Sequence, residues 1–300
     1  MIEGIIVEGL IYGIMALGVF LSFRVLDFPD LSVDGTFPLG AAVMAICLTG
    51  GMNMGLALLV SFTAGFIAGG ITAVIHNKLG VPSLLAGILT MTMLWSINIR
   101  VLGSRANLPL LRTETILTSI RTLGEATIGE TAALLIFFVI VVLIIKLLLD
   151  LFFHTDLGLT MGAMGDNEQM IISQGVNPEM VKIIGVGLSN GLVAISGAFA
   201  AQYQGFADVN LGQGIVVSGL AMVMLGEFLF SSNRIGLLTL RVILGAILYK
   251  AIMFFGRYYG YYINLTPNDL KLLTGLLIIL SLILTKYRSK SLKFRRPAND

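Results

Sequence analysis

MGLALLVSFTAGFIAGGITAVI, Met54–Ile75, carries no charged residue from end to end. At about 1.5 Å of rise per residue, a helix of this length spans the roughly 30 Å of bilayer hydrocarbon. Lipid offers no partner to a bare backbone group, so such a stretch has to be helical. His76, Asn77 and Lys78 end it. Upstream, Ile5–Phe23 is a run of the same kind, interrupted only by Glu8. Between the two lies LDFPDLSVDGTFPLGAA (Leu26–Ala42), with Asp27, Asp30 and Asp34 around Pro29, and Pro38 inside the next apolar run. It reads as a loop entering a broken or late-starting helix over Ser32–Leu48. Downstream come Pro82–Ile99, Thr131–Phe153, Lys182–Tyr203, Gly212–Phe230, Ile235–Phe255 and Leu270–Thr285. The expected fold class is therefore an all-α polytopic membrane protein of about nine transmembrane helices, within a range of eight to ten.

Composition agrees. Of the 300 residues, 56% are hydrophobic and 12% charged, against roughly 25% charged in soluble domains. The mean hydropathy is +0.94. A single cysteine, Cys47, excludes a disulfide within the chain, and His76 and His154 are the only histidines. No metal site, cofactor or catalytic residue is expected, and no nucleic-acid partner. The start, MIEG, lacks a basic n-region, so the first run reads as a retained span. Residues 1–285 form one transmembrane domain on this reading. Lys286, Arg288, Lys290, Lys293, Arg295 and Arg296 crowd a tail over 286–300, which the positive-inside rule puts in the cytoplasm. Counting back through nine spans puts the N-terminus outside. It also makes residues 100–130 an external excursion and residues 155–182 a cytoplasmic segment.

That cytoplasmic segment holds the polar stretch LTMGAMGDNEQMIISQGVNP (Leu159–Pro178). Met161, Met164, Met170 and Ile171 alternate with Asp166, Asn167, Glu168 and Gln169, as one short amphipathic helix between Gly165 and Gly175 would have them. Such a helix at a membrane surface is either an ordinary loop element or a docking element for a partner in water. An internal echo also stands out. Phe28–Val33 (FPDLSV) resembles Phe206–Leu211 (FADVNL), each before a glycine-containing span, with five spans between them. An odd number of spans would fit an inverted repeat with broken helices, as chance similarity also would.

Several side chains are candidates for a transport path. Charges inside spans are functional suspects. Asp34 with Thr36, and Asp208 with Asn210, sit where half-helix ends could face a solute. Asn190 lies on the small, polar face made by Gly187, Ser189 and Gly191. Helix packing explains that face equally well. Glu8 and Lys250 each fall within a span, and Lys146 and Asp150 are spaced to pair along one helix turn. Gly187–Gly191 also spells GxSxG, but a nucleophile elbow needs a strand–turn–helix, and this string lies within an apolar helical run. No GxxxxGK[ST] occurs, so any ATP-driven step would need another subunit.

TDLGLTMGAMGDNEQMIISQGVNPEMVK (Thr155–Lys182) resembles the cytoplasmic coupling segment of binding-protein-dependent ABC importer permeases of the branched-chain amino acid and ribose type. The pattern, T-x-x-G-x-x-x-R-A-x-G-x-N, a short gap and G-[IV], is met by Thr155, Gly158, Ala163, Gly165, Asn167, Gly175 and Val176. Gly162 stands where the arginine is usual. Leu26–Ala42 and Leu188–Glu227 resemble a largely uncharacterised amino-acid subgroup, some of it linked to aromatic amino acids. The resemblance covers most of Ile5–Thr285. It implies a permease in the plasma (inner) membrane of a prokaryote, surrounded by lipid. A second permease copy (in the first place a homodimer), an ATP-binding-cassette ATPase and an extracytoplasmic solute-binding protein would complete it. The coupling residues it implies are Gly158, Ala163, Gly165, Asp166, Asn167, Glu168 and Gly175. The competing class is an ion-coupled secondary transporter, for which Glu8, Asp34 and Asp208 are the available acids.

Overall fold

The computed structural model describes residues 2–111, 113–125, 129–230, 234–260, 269, 272–280 and 283. Eleven α-helices are delimited among them. The first, α1 (Ile2–Val19), continues as wider π-helical backbone over Phe20–Val25. After it come α2 (Val33–Thr49), α3 (Met54–Leu79), α4 (Ser83–Val101), α5 (Ile116–Glu125) and α6 (Glu130–Phe153). Next are α7 (Asp156–Asp166), α8 (Glu168–Ser173), α9 (Pro178–Gln204), α10 (Ile215–Leu229) and α11 (Ile235–Gly260). Two short strands, β1 (Asn107–Pro109) and β2 (Phe206–Asp208), pair antiparallel.

Seven helical segments among the described residues are long and apolar enough to cross a membrane, and α2 is a shorter apolar helix beside them. These eight coincide with the first eight expected spans. Of the ninth, residues 272–280 and 283 are helical; its other residues and the basic tail at 286–300 lie outside the described residues. The 100–130 segment carries β1 and α5. One expectation needs correcting. The polar stretch is not a single helix between Gly165 and Gly175 but two, α7 and α8, divided at Asn167. Asn167 has extended backbone and its side chain accepts from the N–H groups of Gln169 and Met170, so it starts a new helix. Thr155, Asn53 and Asn177 cap α7, α3 and α9 in the same way. The left-handed Gly205 closes α9.

The packing repeats with roles exchanged. In α1–α2–α3 and in α9–α10–α11 a long, largely buried helix is followed by a break, a shorter helix and a long one. The buried helix of each set packs on the last helix of the other, α1 on α11 and α9 on α3. The echoing hexapeptides fall on the two breaks. At about 1.5 Å per residue, α2 and α10 are each shorter than the roughly 30 Å hydrocarbon layer, and both begin inside the bundle.

Small residues bring α2 and α9 together. A Cβ on Gly40 would lie 2.0 Å from the Ala194 carbonyl oxygen, so the two backbones approach as only glycine permits. Ser196 and Ser189, both buried, donate to the Ile11 and Gly18 carbonyls at 2.7 Å and fasten α9 to α1.

Candidate functional site

The first break is built around a buried carboxyl. Pro29 keeps the chain out of a helix, and Asp30 then forms a tight turn, its Oδ1 accepting from the Ser32 N–H at 2.8 Å. Its Oδ2 accepts from the Ser32 hydroxyl at 2.8 Å and from Asn190 Nδ2 at 2.7 Å. Thr36 donates to Asn190 Oδ1 at 2.7 Å. Asp30, Ser32, Thr36 and Asn190 are all 0% exposed. The three donors on the carboxyl are neutral dipoles. Thr36 and Asn190, two of the residues expected along the path, are thus bonded directly to each other, and Asp30, expected in a loop, is the buried carboxyl that Asn190 also reaches.

Asp34 lies one helical turn further on. Its carboxylate accepts from the N–H of Gly214 at 2.9 Å and of Val216 at 2.8 Å, the first turn of α10. It also lies in the first turn of α2. One carboxylate therefore faces two helix N-termini, each carrying a partial positive charge. Pro38 leaves the Asp34 carbonyl without its usual helical donor. The turn at Gly212 lies over that oxygen so closely that a Cβ there would be 1.8 Å away. A cavity of about 340 Å³ opens beside this joint, lined by Asp34, Trp95, Asn98 and Gln213 among others. Asn98 donates to the Gly35 carbonyl at 3.0 Å, and its Oδ1 is buried without a hydrogen-bond partner among the described residues.

Asp208 and Asn210 sit at the second break, away from that network. Asp208 Oδ1 accepts from the Asn210 N–H at 2.7 Å, repeating the turn of Asp30. Its Oδ2 accepts from Asn107 Nδ2 at 3.0 Å, an exposed contact that pins β1 to β2.

At one end of the bundle α7 and α8 lie across the helix ends. Met161, Met164 and Ile171 are buried against the bundle. Gly165 is part of that attachment: a Cβ there would lie 2.1 Å from the Val25 carbonyl oxygen at the end of α1. Gly158 packs as closely on Phe152. Asn167 caps α8, and Glu168 pairs with Lys182 of α9 at 2.8 Å. Gly175 takes φ +80° just after α8. Ala163 and Asp166 line a cavity of about 850 Å³ between α7, the end of α1 and the start of α11. Gly162 lines the same cavity, and around it stand Arg24 and Arg241, which share Glu227 at 2.9 and 3.1 Å. Cations are thus present there although position 162 carries none. Leu159 lines this cavity too, while Met170 and Ile172, each more than half exposed, lie outside it.

Other candidates resolve into packing. Ser189 of the GxSxG string is buried mid-helix and spends its hydroxyl on Gly18. Lys146 pairs with Asp150 as the spacing suggests, and Thr239 donates to the same carboxylate at 2.6 Å. Glu8 and Lys250 form an ion pair at 3.3 Å across 242 positions of sequence, which no periodicity could signal.

Comparison with known proteins gives one consistent picture. Residues 1–282 match the family model described as branched-chain amino acid transport system / permease component. A tyrosine transport system permease protein of Clostridioides difficile is 40% identical, over 93% of this chain and 89% of its own length. An uncharacterized protein of Rickettsia prowazekii is 33% identical over 89% and 91% of the two chains. An autoinducer 2 import system permease protein of Salmonella paratyphi B is 28% identical over 66% of this chain and 54% of its own. No solved structure matches.

Proposed function

The chain belongs to the branched-chain amino acid transport permease family, and on that premise we propose that it is the membrane-spanning subunit of an ABC importer for an amino acid, an aromatic one such as tyrosine in the first place. It lies in the cell membrane of a prokaryote, with α7, α8 and the C-terminus on the cytoplasmic side. An extracytoplasmic solute-binding protein delivers the solute at the opposite end. A separate ATPase supplies the energy, and two copies of this chain form the pore.

The observation that carries the reading is the two-faced α7–α8 pair. One face is locked to the bundle by Met161, Met164, Ile171 and the Gly165–Val25 contact. The other presents Met170 and Ile172, an apolar surface suited to a soluble partner. Force on that face reaches α1 through Val25 and α9 through the Glu168–Lys182 pair. Both helices lead directly to the breaks. There Asp30 and Asn190 hold α9 to the start of α2, and Asp34 holds the start of α10. Asp34, Thr36, Asn190, Asp208 and Asn210 act in the path as the groups that set these two shortened helices. The 40% identity to a tyrosine transport permease supports the solute class.

Ile172→Glu tests the docking face, because Ile172 is 52% exposed and its replacement leaves the bundle unstrained. Tagged wild-type protein, solubilised from its native membrane, should retain an ATPase on affinity purification, and the variant should retain little. Equal recovery with both removes α7–α8 from the interface.

A further inference from the structure

The end of the bundle away from α7 and α8 holds a cavity of about 430 Å³ between α1, α10 and α11. Glu8 of α1 and Lys250 of α11 stand in its wall with their charged atoms 3.3 Å apart. Lys250 Nζ also lies 3.3 Å from the centre of the Tyr12 ring, which attracts a cation through its π face. The Glu8 side chain is 47% exposed and that of Lys250 17%. A pair with one partner nearly half open to solvent is weakly held and readily exchanged. The rest of the wall is mixed: Arg257 adds a second cation, Ser218 and Tyr249 offer hydroxyls, and Met222, Met253 and Phe254 offer an apolar surface. Gln213 and Gly214 belong to this wall and to that of the cavity beside Asp34, so the Asp34–Gly214 bond joins the two spaces.

We propose that this cavity is the first receiving site for an α-amino acid, whose zwitterion replaces the Glu8–Lys250 ion pair. The inference rests on the transport reading above and adds to it the site and its chemistry. The solute carboxylate takes Lys250 from Glu8, and the solute ammonium takes Glu8. Each charge keeps an opposite partner throughout, so no step leaves an uncompensated ion. The solute side chain lies against Met253 and Phe254, which favours an apolar or aromatic one. A sugar carries no charge with which to open the pair, and an amine without a carboxylate would leave Lys250 unpartnered. The site therefore selects by charge pattern first and by side chain second.

The test uses the full chain in right-side-out membrane vesicles. Met253→Cys in a Cys47→Ala background places one thiol on the cavity wall, since Cys47 is the only native cysteine. Its rate of modification by a charged thiol reagent is followed with L-tyrosine, L-leucine, tyramine or ribose present. L-Tyrosine is expected to slow modification about tenfold at saturation, with ribose and tyramine giving little effect. Adding Lys250→Gln should abolish the protection and Lys250→Arg should retain it, which separates loss of charge from loss of fold. No protection by either amino acid, or equal protection by tyramine or ribose, overturns the site. Uptake of labelled tyrosine is measured in parallel in the intact cells from which the vesicles are prepared. Uptake without protection overturns this site and leaves the transport reading standing; protection without uptake upholds the site and removes the transport reading.

Discussion

The two breaks share a local grammar and differ in everything around it. At Phe28–Val33 and at Phe206–Leu211 an aspartate accepts the N–H two residues on, at 2.8 and 2.7 Å, and turns the chain into a shortened helix. Asp30 does this at 0% exposure with Asn190 and Ser32 bonded to its other oxygen. Asp208 does it at the surface, with Asn107 as its side-chain partner. A turn motif therefore says where the chain changes direction but not what the turn is worth. That depends on whether water can replace the partners when the carboxylate is removed.

The largest expected effect follows at Asp30. Asp30→Ala leaves the Ser32 N–H without its acceptor in a closed interior and reduces the Asn190 amide and the Ser32 hydroxyl to their second acceptors, the Val186 carbonyl and Asn190 Oδ1, which costs about 3 kcal/mol. The variant should unfold at a clearly lower temperature in detergent; an unchanged midpoint would put the network's contribution near zero. Asn190→Ala comes next at about 2 kcal/mol, and a double-mutant cycle with Asp30→Ala should show coupling of about 1 kcal/mol or more. Strict additivity would mean that the two side chains act separately. Asp34→Ala removes the acceptor from two N–H groups of α10 at a part-exposed joint, for about 1 kcal/mol. Its main signature should be altered uptake with assembly intact, and wild-type uptake kinetics would take Asp34 out of the path. Asp208→Ala should be the mildest, within about 0.5 kcal/mol, because water can take over the exposed contact. A loss matching that of Asp30→Ala would erase the distinction between the breaks.

Much of this was legible in the residues. The spans were readable because the bilayer demands about 20 apolar residues at a time, and eight of the nine appear where Met54–Ile75 and its neighbours put them. The breaks were readable from Pro29 and the echo of FPDLSV in FADVNL. Asp30 was not, as its decisive partner Asn190 lies 160 residues away. Lys250 and Glu8 escaped for the same reason. The division of α7 from α8 did leave a signal, since Asn167 followed by Glu168 is a helix start. The alternation of methionines across it concealed the break. Gly165 matched its motif yet faces inward onto Val25, because a pattern of spacing carries no information about which side of a helix meets the bundle.

Energy source is the property on which the account turns. Uptake of labelled L-tyrosine should be followed in cells that depend on this chain, first under ATP depletion with the membrane potential maintained and then with an ionophore and ATP intact. Uptake should stop with ATP depletion and survive the ionophore. Uptake that survives ATP depletion and collapses with the ionophore would contradict it and make the chain an ion-coupled transporter.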